Sequence, residues 1–368
     1  MEKVRAFLAR KNITFSAKRY FIDAMSAMAQ GLFCTLLVGT ILDTIGKQFG
    51  IGFLTDTFLT IKQGDVTFYY TIGGFCSLMV GPAMAVAIGK ALEAPPLVLF
   101  SLITVGFATN VLGGTGGPLA VFFVAILAAE VGKAISKETK IDILVTPIVT
   151  ILAGIGFAAL VARPIGTAAT SVGDAIKWAT ELQPFFMGIL VSVIIGVALT
   201  LPISSAAICA SLGLTGLAGG AAVAGCCAQM VGFAVMSFRE NRWGGLVAQG
   251  IGTSMLQMGN IVRNPRIWIP PTLASAITGP IATCIFRMEM NGAAVSSGMG
   301  TCGLVGQIGV YTGWLADIEA GTKAAITAMD WIGLVLVCFV LPAILSWLIA
   351  LPLRKWGWIG EDDLKLDL

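Results

Sequence analysis

The run Met288 to Gly313, M-E-M-N-G-A-A-V-S-S-G-M-G-T-C-G-L-V-G-Q-I-G-V-Y-T-G, decides how this chain is read. It is apolar enough for a membrane and interrupted by glycine throughout. Gly300, Gly303, Gly306 and Gly309 recur at every third residue, which on a helix makes a slanted strip without side chains. Such a strip admits another backbone or a ligand at close range. Two readings stay open for it, tight helix packing and the wall of a site. The polar residues Glu289, Asn291, Ser296 and Ser297 on its flank, with Gln307 inside it, favour the wall, and these five are candidate solute-binding residues.

Outward from this run the chain keeps the same character. Of its 368 residues 57% are hydrophobic and 12% charged, with a mean hydropathy of +0.90. That excludes a water-soluble globule and predicts an all-α polytopic membrane protein, a single integral membrane domain. The 45 glycines and 14 prolines break or kink helices, whose freed backbone groups must find other partners. A net charge of +3 with no basic soluble domain leaves no electrostatic footprint for nucleic acid. The eight cysteines lie in apolar stretches without C-x-x-C spacing, and histidine is absent, so they read as buried small hydrophobes, with no metal or cofactor expected. Without histidine or a nucleophile–base pattern, no catalytic activity of its own is expected.

A hydrocarbon core about 30 Å thick needs about 20 apolar helical residues. Ten spans are predicted, near 20 to 46, 66 to 89, 95 to 112, 117 to 135, 142 to 162, 184 to 202, 218 to 238, 243 to 262, 268 to 287 and 328 to 352. Two further stretches, 204 to 217 and 291 to 314, are too rich in Gly and Ser for ordinary spans and are predicted to be re-entrant or broken. The basic start M-E-K-V-R-A-F-L-A-R-K lacks a cleavable signal. It reads as a surface helix with Val4, Phe7 and Leu8 on one face, or as a disordered leader. Lysine and arginine cluster before the first span, after the fourth (Lys133, Lys137, Lys140), after the eighth (Arg263, Arg266) and after the last (Arg354, Lys355). All four clusters then fall on the cytoplasmic side, with both termini, but this count puts Arg239 and Arg242 outside.

Ionisable groups at the centre of a span cost about 2.5 to 3.5 kcal/mol each, so those near spans need a reason. Asp23, Asp43 and Lys133 read as interfacial groups at span ends, while Glu130, like Glu289, reads equally as functional. The segment N-V-L-G-G-T-G-G-P, Asn110 to Pro118, precedes a helix that proline would open. It is either a flexible turn or a site where free backbone N–H groups, with Asn110 and Thr115, meet a polar solute. No G-K-[ST] follows, so nucleotide hydrolysis is not expected. Gly81-Pro82, Gly117-Pro118 and Gly279-Pro280 each precede an apolar run, a partial internal repeat. Gln229, Gln249, Gln257, Asn260 and Asn264, with Asn291 and Gln307, would either clamp helices together or line a polar cavity suited to a sugar.

The combination of G-P-I-A-T at 279 to 283, M-N-G-A-A-V-S-S-G-M-G-T-C-G-L-V-G-Q from Met290 onward, and the earlier G-G-T-G-G-P-L-A resembles a known family. It is similar to the membrane permeases, enzyme IIC, of the bacterial phosphotransferase system, in the divergent branch labelled toxin regulators. The resemblance implies a homodimer in the bacterial inner membrane, with a scaffold half and a transport half that holds a sugar between broken helices. It also implies separate IIA and IIB proteins as phosphoryl-transfer partners, since the chain carries no such domain. Glucose-type permeases commonly use a histidine and a glutamate-bearing loop; this chain has no histidine, and its glycine-rich loop carries no acid. A permease for a small polar solute is expected, with a sensor that binds the solute without moving it as the alternative.

Overall fold

A computed structural model describes residues 2–63 and 66–366. Its long elements are helices, and the described strands form one antiparallel hairpin, Leu59–Gln63 with Val66–Tyr70. The chain divides into two compact units, Met1–Ala168 and Ala169–Leu368.

The first unit starts with helix α1 (Glu2–Arg10), so the basic N-terminal stretch is helical. Helix α2 (Lys18–Lys47) follows and occupies the first predicted span. The second predicted span, 66 to 89, needs correcting, because its first residues are strand. Helix α3 (Ile72–Leu78) begins only where the Thr71 hydroxyl accepts from the Gly74 N–H, and it meets α4 (Val80–Ala91) at a 49° bend. Proline in the first turn, where a missing N–H costs nothing, opens both α5 (Pro96–Gly113) and α6 (Gly117–Ile135). Between them Gly114 has φ +52° and ψ −123°, which no helix accommodates. A Cβ on Gly132, late in α6, would lie 2.7 Å from Val98, early in α5. The apolar stretch 96–135 is therefore a hairpin of two antiparallel arms, matching the predicted spans 95 to 112 and 117 to 135. Helix α7 (Asp142–Thr180) starts in this unit and ends in the next.

In the second unit, α8 (Pro184–Thr200), α10 (Gly216–Met236), α13 (Ile269–Pro280) and α15 (Ala328–Lys355) pack on one another; the short α9 (Ser205–Ser211) lies between α8 and α10 in sequence. Helix α10 is central and 94% buried in its apolar window. Its sequence G-L-A-G-G-A-A-V-A-G-C-C explains this: a Cβ on Gly225 would strike the Ser192 backbone of α8, and one on Gly232 would strike Pro271 and Ser346. Small residues let backbones approach closely, so dispersion replaces the hydrophobic drive that lipid cannot supply. Gln229 of α10 ties the bundle: its Oε1 accepts from Trp268 Nε1 at 2.9 Å and Thr200 Oγ1 at 3.3 Å, and its Nε2 donates to Thr272 and Ser275.

Among the described residues, five helical stretches are long and apolar enough to cross a membrane with the 96–135 hairpin taken as one, or six if α3 and α4 also count as one span. The helical, polytopic character is as predicted, but the ten spans are not reproduced. Helix α8 has 17 residues, and α13 passes into a π turn (Ile281–Ile285) and ends before Arg287, at φ +47°. Pro280 therefore lies within a helical run instead of opening one, so the third member of the Gly-Pro repeat differs from the first two. Of the eight cysteines read as buried, Cys209, Cys226, Cys227, Cys302 and Cys338 are buried, Cys76 is half-buried, and Cys34 and Cys284 are exposed on their helices.

Candidate functional site

The site is framed by two elements that enter the second unit from opposite ends of α10 and turn back. The first covers residues 238 to 264: α11 (Phe238–Val247), a π turn (Ala248–Gly252), a 3-10 turn (Ser254–Gln257) and α12 (Met258–Arg263). It was predicted as a span over 243 to 262, and it is not one. Arg242 has φ +51°, and four glycines interrupt the stretch between Gly244 and Gly252. Both ends of the element reach one short segment, since Asn241 Nδ2 donates to Leu364 O at 2.7 Å and Asn264 Nδ2 to Asp363 Oδ2 at 2.8 Å. Gln257 and Asn260 add bonds to Leu364 O and Lys365 O. Arg354 of α15 pairs with Glu240 at 2.8 Å. Arg239 and Arg242 thus share one end of the unit with Arg354, Arg263 and Arg266, which removes the anomaly in the predicted charge distribution.

The second element covers residues 287 to 319. It enters beside the start of α10, where Met290 and Gly216 exchange two backbone hydrogen bonds of 3.0 and 3.1 Å. Ser297 Oγ then donates to Leu214 O at 2.6 Å, Ser205 Oγ donates to Gly298 O, and Thr301 Oγ1 reaches Met230 Sδ. After a 3-10 turn (Cys302–Leu304) the chain returns along α14 (Val305–Glu319), with Gln307 Nε2 donating to Cys227 Sγ. The tip at Cys302–Leu304 packs against the π turn Ala248–Gly252 of the first element. The prediction of a broken element over 291 to 314 therefore describes this region, but a helical glycine strip does not. Gly300 and Gly303 have φ of +54° and +51° and lie in the turn, leaving Gly306 and Gly309 on the helix. The space beside them is taken by this same chain: a Cβ on Gly300 would sit 2.6 Å from Cys226, and one on Gly306 2.5 Å from Gly300 O.

At the mouth of the second element lies a polar cavity of about 590 Å³, lined by Arg287, Glu289, Asn291, Trp314, Asp317, Thr322, Lys323 and Asp330. Asn291 is its pivot. Its Nδ2 lies 2.9 and 3.1 Å from the Asp317 carboxylate oxygens and 3.2 Å from Glu289 Oε2, while its Oδ1 accepts from the Gly216 N–H. Lys323 pairs with Asp330 at 2.8 Å and stands over the Trp314 ring. Asp330 also accepts from Thr327 N at 2.7 Å, closing a capping box at the start of α15. Trp314 is held edge-on by Trp331, with ring centroids 5.4 Å apart. Three carboxylates face two cations, and Arg287 has no ion pair among the described residues. Such a set can accept from several hydroxyls at once.

Of the predicted site residues, Glu289 and Asn291 line this cavity. Ser296 and Ser297 are buried in the entering limb, and Gln307 is buried behind the tip, its Oε1 without a hydrogen-bond partner. Asn110, Thr115 and Glu130 belong to the first unit and are not brought together there. Asn110 packs on Gly117, and Thr115 Oγ1 is buried without a partner. Glu130 lies 13 residues beyond the start of α6, where its carboxylate accepts from Tyr20 and pairs with Lys133 at 2.9 Å. The amides Gln229, Gln249, Gln257, Asn260 and Asn264 act as clamps and do not line the cavity. Sequence reasoning missed Trp314, Asp317, Lys323 and Asp330. Asp317 and Trp314 share a helical face one turn apart, which was the available signal.

A family model described as Phosphotransferase system, EIIC matches residues 22–366, nearly the whole chain. No curated protein and no solved structure matches it.

Proposed function

Because this chain belongs to the phosphotransferase-system EIIC family, the membrane permease component of that system, we propose that it carries a sugar and that the cavity around Asn291 is where the sugar binds. The observation that carries this reading is the convergence of Glu289, Asn291 and Asp317 beside a buried indole at the mouth of a re-entrant element. Carboxylates and an amide match the donor pattern of vicinal hydroxyls, and the buried Trp314, under Lys323 and against Trp331, fixes the floor behind them. Broken elements at such a site are a common transporter device, because irregular backbone is tolerated where it lines a cavity.

On this reading the second unit is the transport half and the first the scaffold half, in a homodimer of the bacterial inner membrane. The homodimer comes from the family resemblance. The basic clusters at Arg10–Lys11 and Arg354–Lys355 support a cytoplasmic side for both termini by the positive-inside rule. Separate IIA and IIB proteins deliver the phosphoryl group there. Ser296, Ser297 and Gln307 shape the wall behind the cavity, and Asn110, Thr115 and Glu130 contribute through the scaffold.

The test is sugar binding by thermal shift, since a ligand of the folded state raises Tm, followed by counterflow in proteoliposomes. Glu289→Gln and Asp317→Asn are expected to lower both signals. Unchanged binding and flux in both variants would sink the site. Binding without flux would make the protein a sensor.

A further inference from the structure

We propose that the first unit carries a site for one anionic phospholipid, with the headgroup phosphate held at Arg10, Lys11 and Lys137 and an acyl chain laid along α6 beside Phe123. Two hollows adjoin on the same pair of walls. One is a polar cavity of about 340 Å³ lined by Arg10, Lys11, Lys133, Lys137, Glu93 and Glu138 among others. The other is an apolar groove of about 480 Å³. On α6 the groove residues Phe123, Ile126, Leu127, Glu130, Val131 and Ala134 keep to one helical stripe, spaced by three and four residues, which runs up to Lys137. On the N-terminal arm Leu8 and Ile13 face the groove while Arg10 and Lys11 face the polar cavity. The α6 wall therefore passes from apolar to cationic toward Lys137, and the arm sets Arg10 and Lys11 on the polar cavity and Leu8 and Ile13 on the groove, which suits the polarity of a phospholipid.

Charge selects the occupant. Lys133 is already held by Glu130 and by the carbonyls of Asn12 and Leu92. Glu138 serves both Arg10, at 2.8 Å, and Lys11, at 2.5 Å. With Glu130 counted against Lys133, the four cations Arg10, Lys11, Lys133 and Lys137 face the three carboxylates Glu93, Glu130 and Glu138, and the exposed Lys137 ammonium makes no ion pair among the described residues, its backbone N–H alone bonding the Asp142 carboxylate. The excess is positive and sits at the head of an apolar groove, where a phosphate with no ammonium beside it fits and a zwitterionic headgroup does not. Lys11 also donates to the Ser136 carbonyl, so the arm and the end of α6 are already fastened in the geometry the headgroup needs.

The experiment uses the full-length protein, delipidated in neutral detergent and titrated with phosphatidylglycerol or phosphatidylcholine, with retention read by native mass spectrometry. Phosphatidylglycerol is expected to stay bound and phosphatidylcholine to wash out. Lys137→Ala should weaken retention about fivefold. Ala134→Trp, which fills the groove at a half-exposed position, should abolish it. Both variants should keep the lipid-free Tm of the parent, because neither side chain holds the fold. Equal retention of the two lipids, or parental retention in either variant, overturns the proposal. So does equal stabilisation by glycerol 3-phosphate alone, which would make the site one for a free phosphate.

Discussion

Asn291 and Asp317 stand 26 residues apart in sequence and face each other across the mouth of a re-entrant element, with Nδ2 2.9 Å from one carboxylate oxygen and 3.1 Å from the other. The same amide accepts from Gly216, so one side chain joins the start of α10, the entering limb and the end of α14. Asn291→Asp is expected to harm the protein more than Asn291→Ala, because it sets a third carboxylate against Asp317 and Glu289. A lower Tm for the aspartate variant and loss of solute binding in both check this. Equal Tm values would mean that the pivot is not electrostatic.

Asp317→Asn separates holding from binding. It keeps the volume and one acceptor, so stability should stay within about 0.5 kcal/mol of the parent, as for surface changes that leave no group stranded. Solute affinity should fall about tenfold or more, the scale of a lost charged hydrogen bond. A fall in Tm with unchanged affinity would assign Asp317 a structural role alone.

Gly300→Ala tests the turn. The residue has φ +54°, and its missing Cβ faces Cys226 Cβ at 2.6 Å. Left-handed strain and overpacking together predict a loss of about 2 to 4 kcal/mol, visible as a large drop in Tm. A neutral result would show that the tip can shift away from α10.

Gln229→Leu removes the tie between α8, α10 and α13. Trp268 Nε1, Thr200 and Ser254 form a chain through it, so the variant leaves an indole N–H without its acceptor. The expected loss is about 1 to 3 kcal/mol. Thermal melts in detergent measure it, and a leucine variant as stable as the parent would contradict the role given to this amide.

The docking of α1 should depend on pH through Glu138. The hydrogen bond from Lys11 and the nearby Arg10 hold its carboxyl below the usual glutamate range. A carboxylate with a lowered folded pKa contributes fully above its unfolded pKa, and the contribution disappears as pH falls through the folded value. Hydrogen exchange in residues 5–12 should therefore accelerate at acid pH in the parent. In Glu138→Gln it should be fast throughout, and a pH response that survives in that variant would point to another group.

The helical membrane class was legible because it follows from composition, and the broken element near Met288–Gly313 was legible because glycine and serine are too dense there for a span. The number of spans was not. Residues 243 to 262 carry no charged side chain and so read as a span, and what turns them back is a set of amide bonds to residues 358–366, more than ninety positions away. Glu289 and Asn291 stood out as polar groups in an apolar run. Asp317 and Asp330 did not, because each reads locally as an acid at a helix end, and only the fold brings them beside Asn291. Asn110, Thr115 and Glu130 were chosen for glycine density and span position, signals that carry no information about which residues meet.

The clamp of Asn241, Gln257, Asn260 and Asn264 on residues 358–366 also orders events during synthesis. Asn241 leaves the ribosome 123 residues before Leu364, and chains assemble from the N-terminal side as they emerge. Until Leu364 and Lys365 arrive, Asn241 lacks the acceptor of its Nδ2, and Gln257 and Asn260 keep only their bonds to Gln249 and Gln257. The first broken element therefore completes its docking only once the residues after α15 are in place. In a chain ended between Lys355 and Trp358 the second element keeps its bonds to α10 while the first is expected to remain undocked.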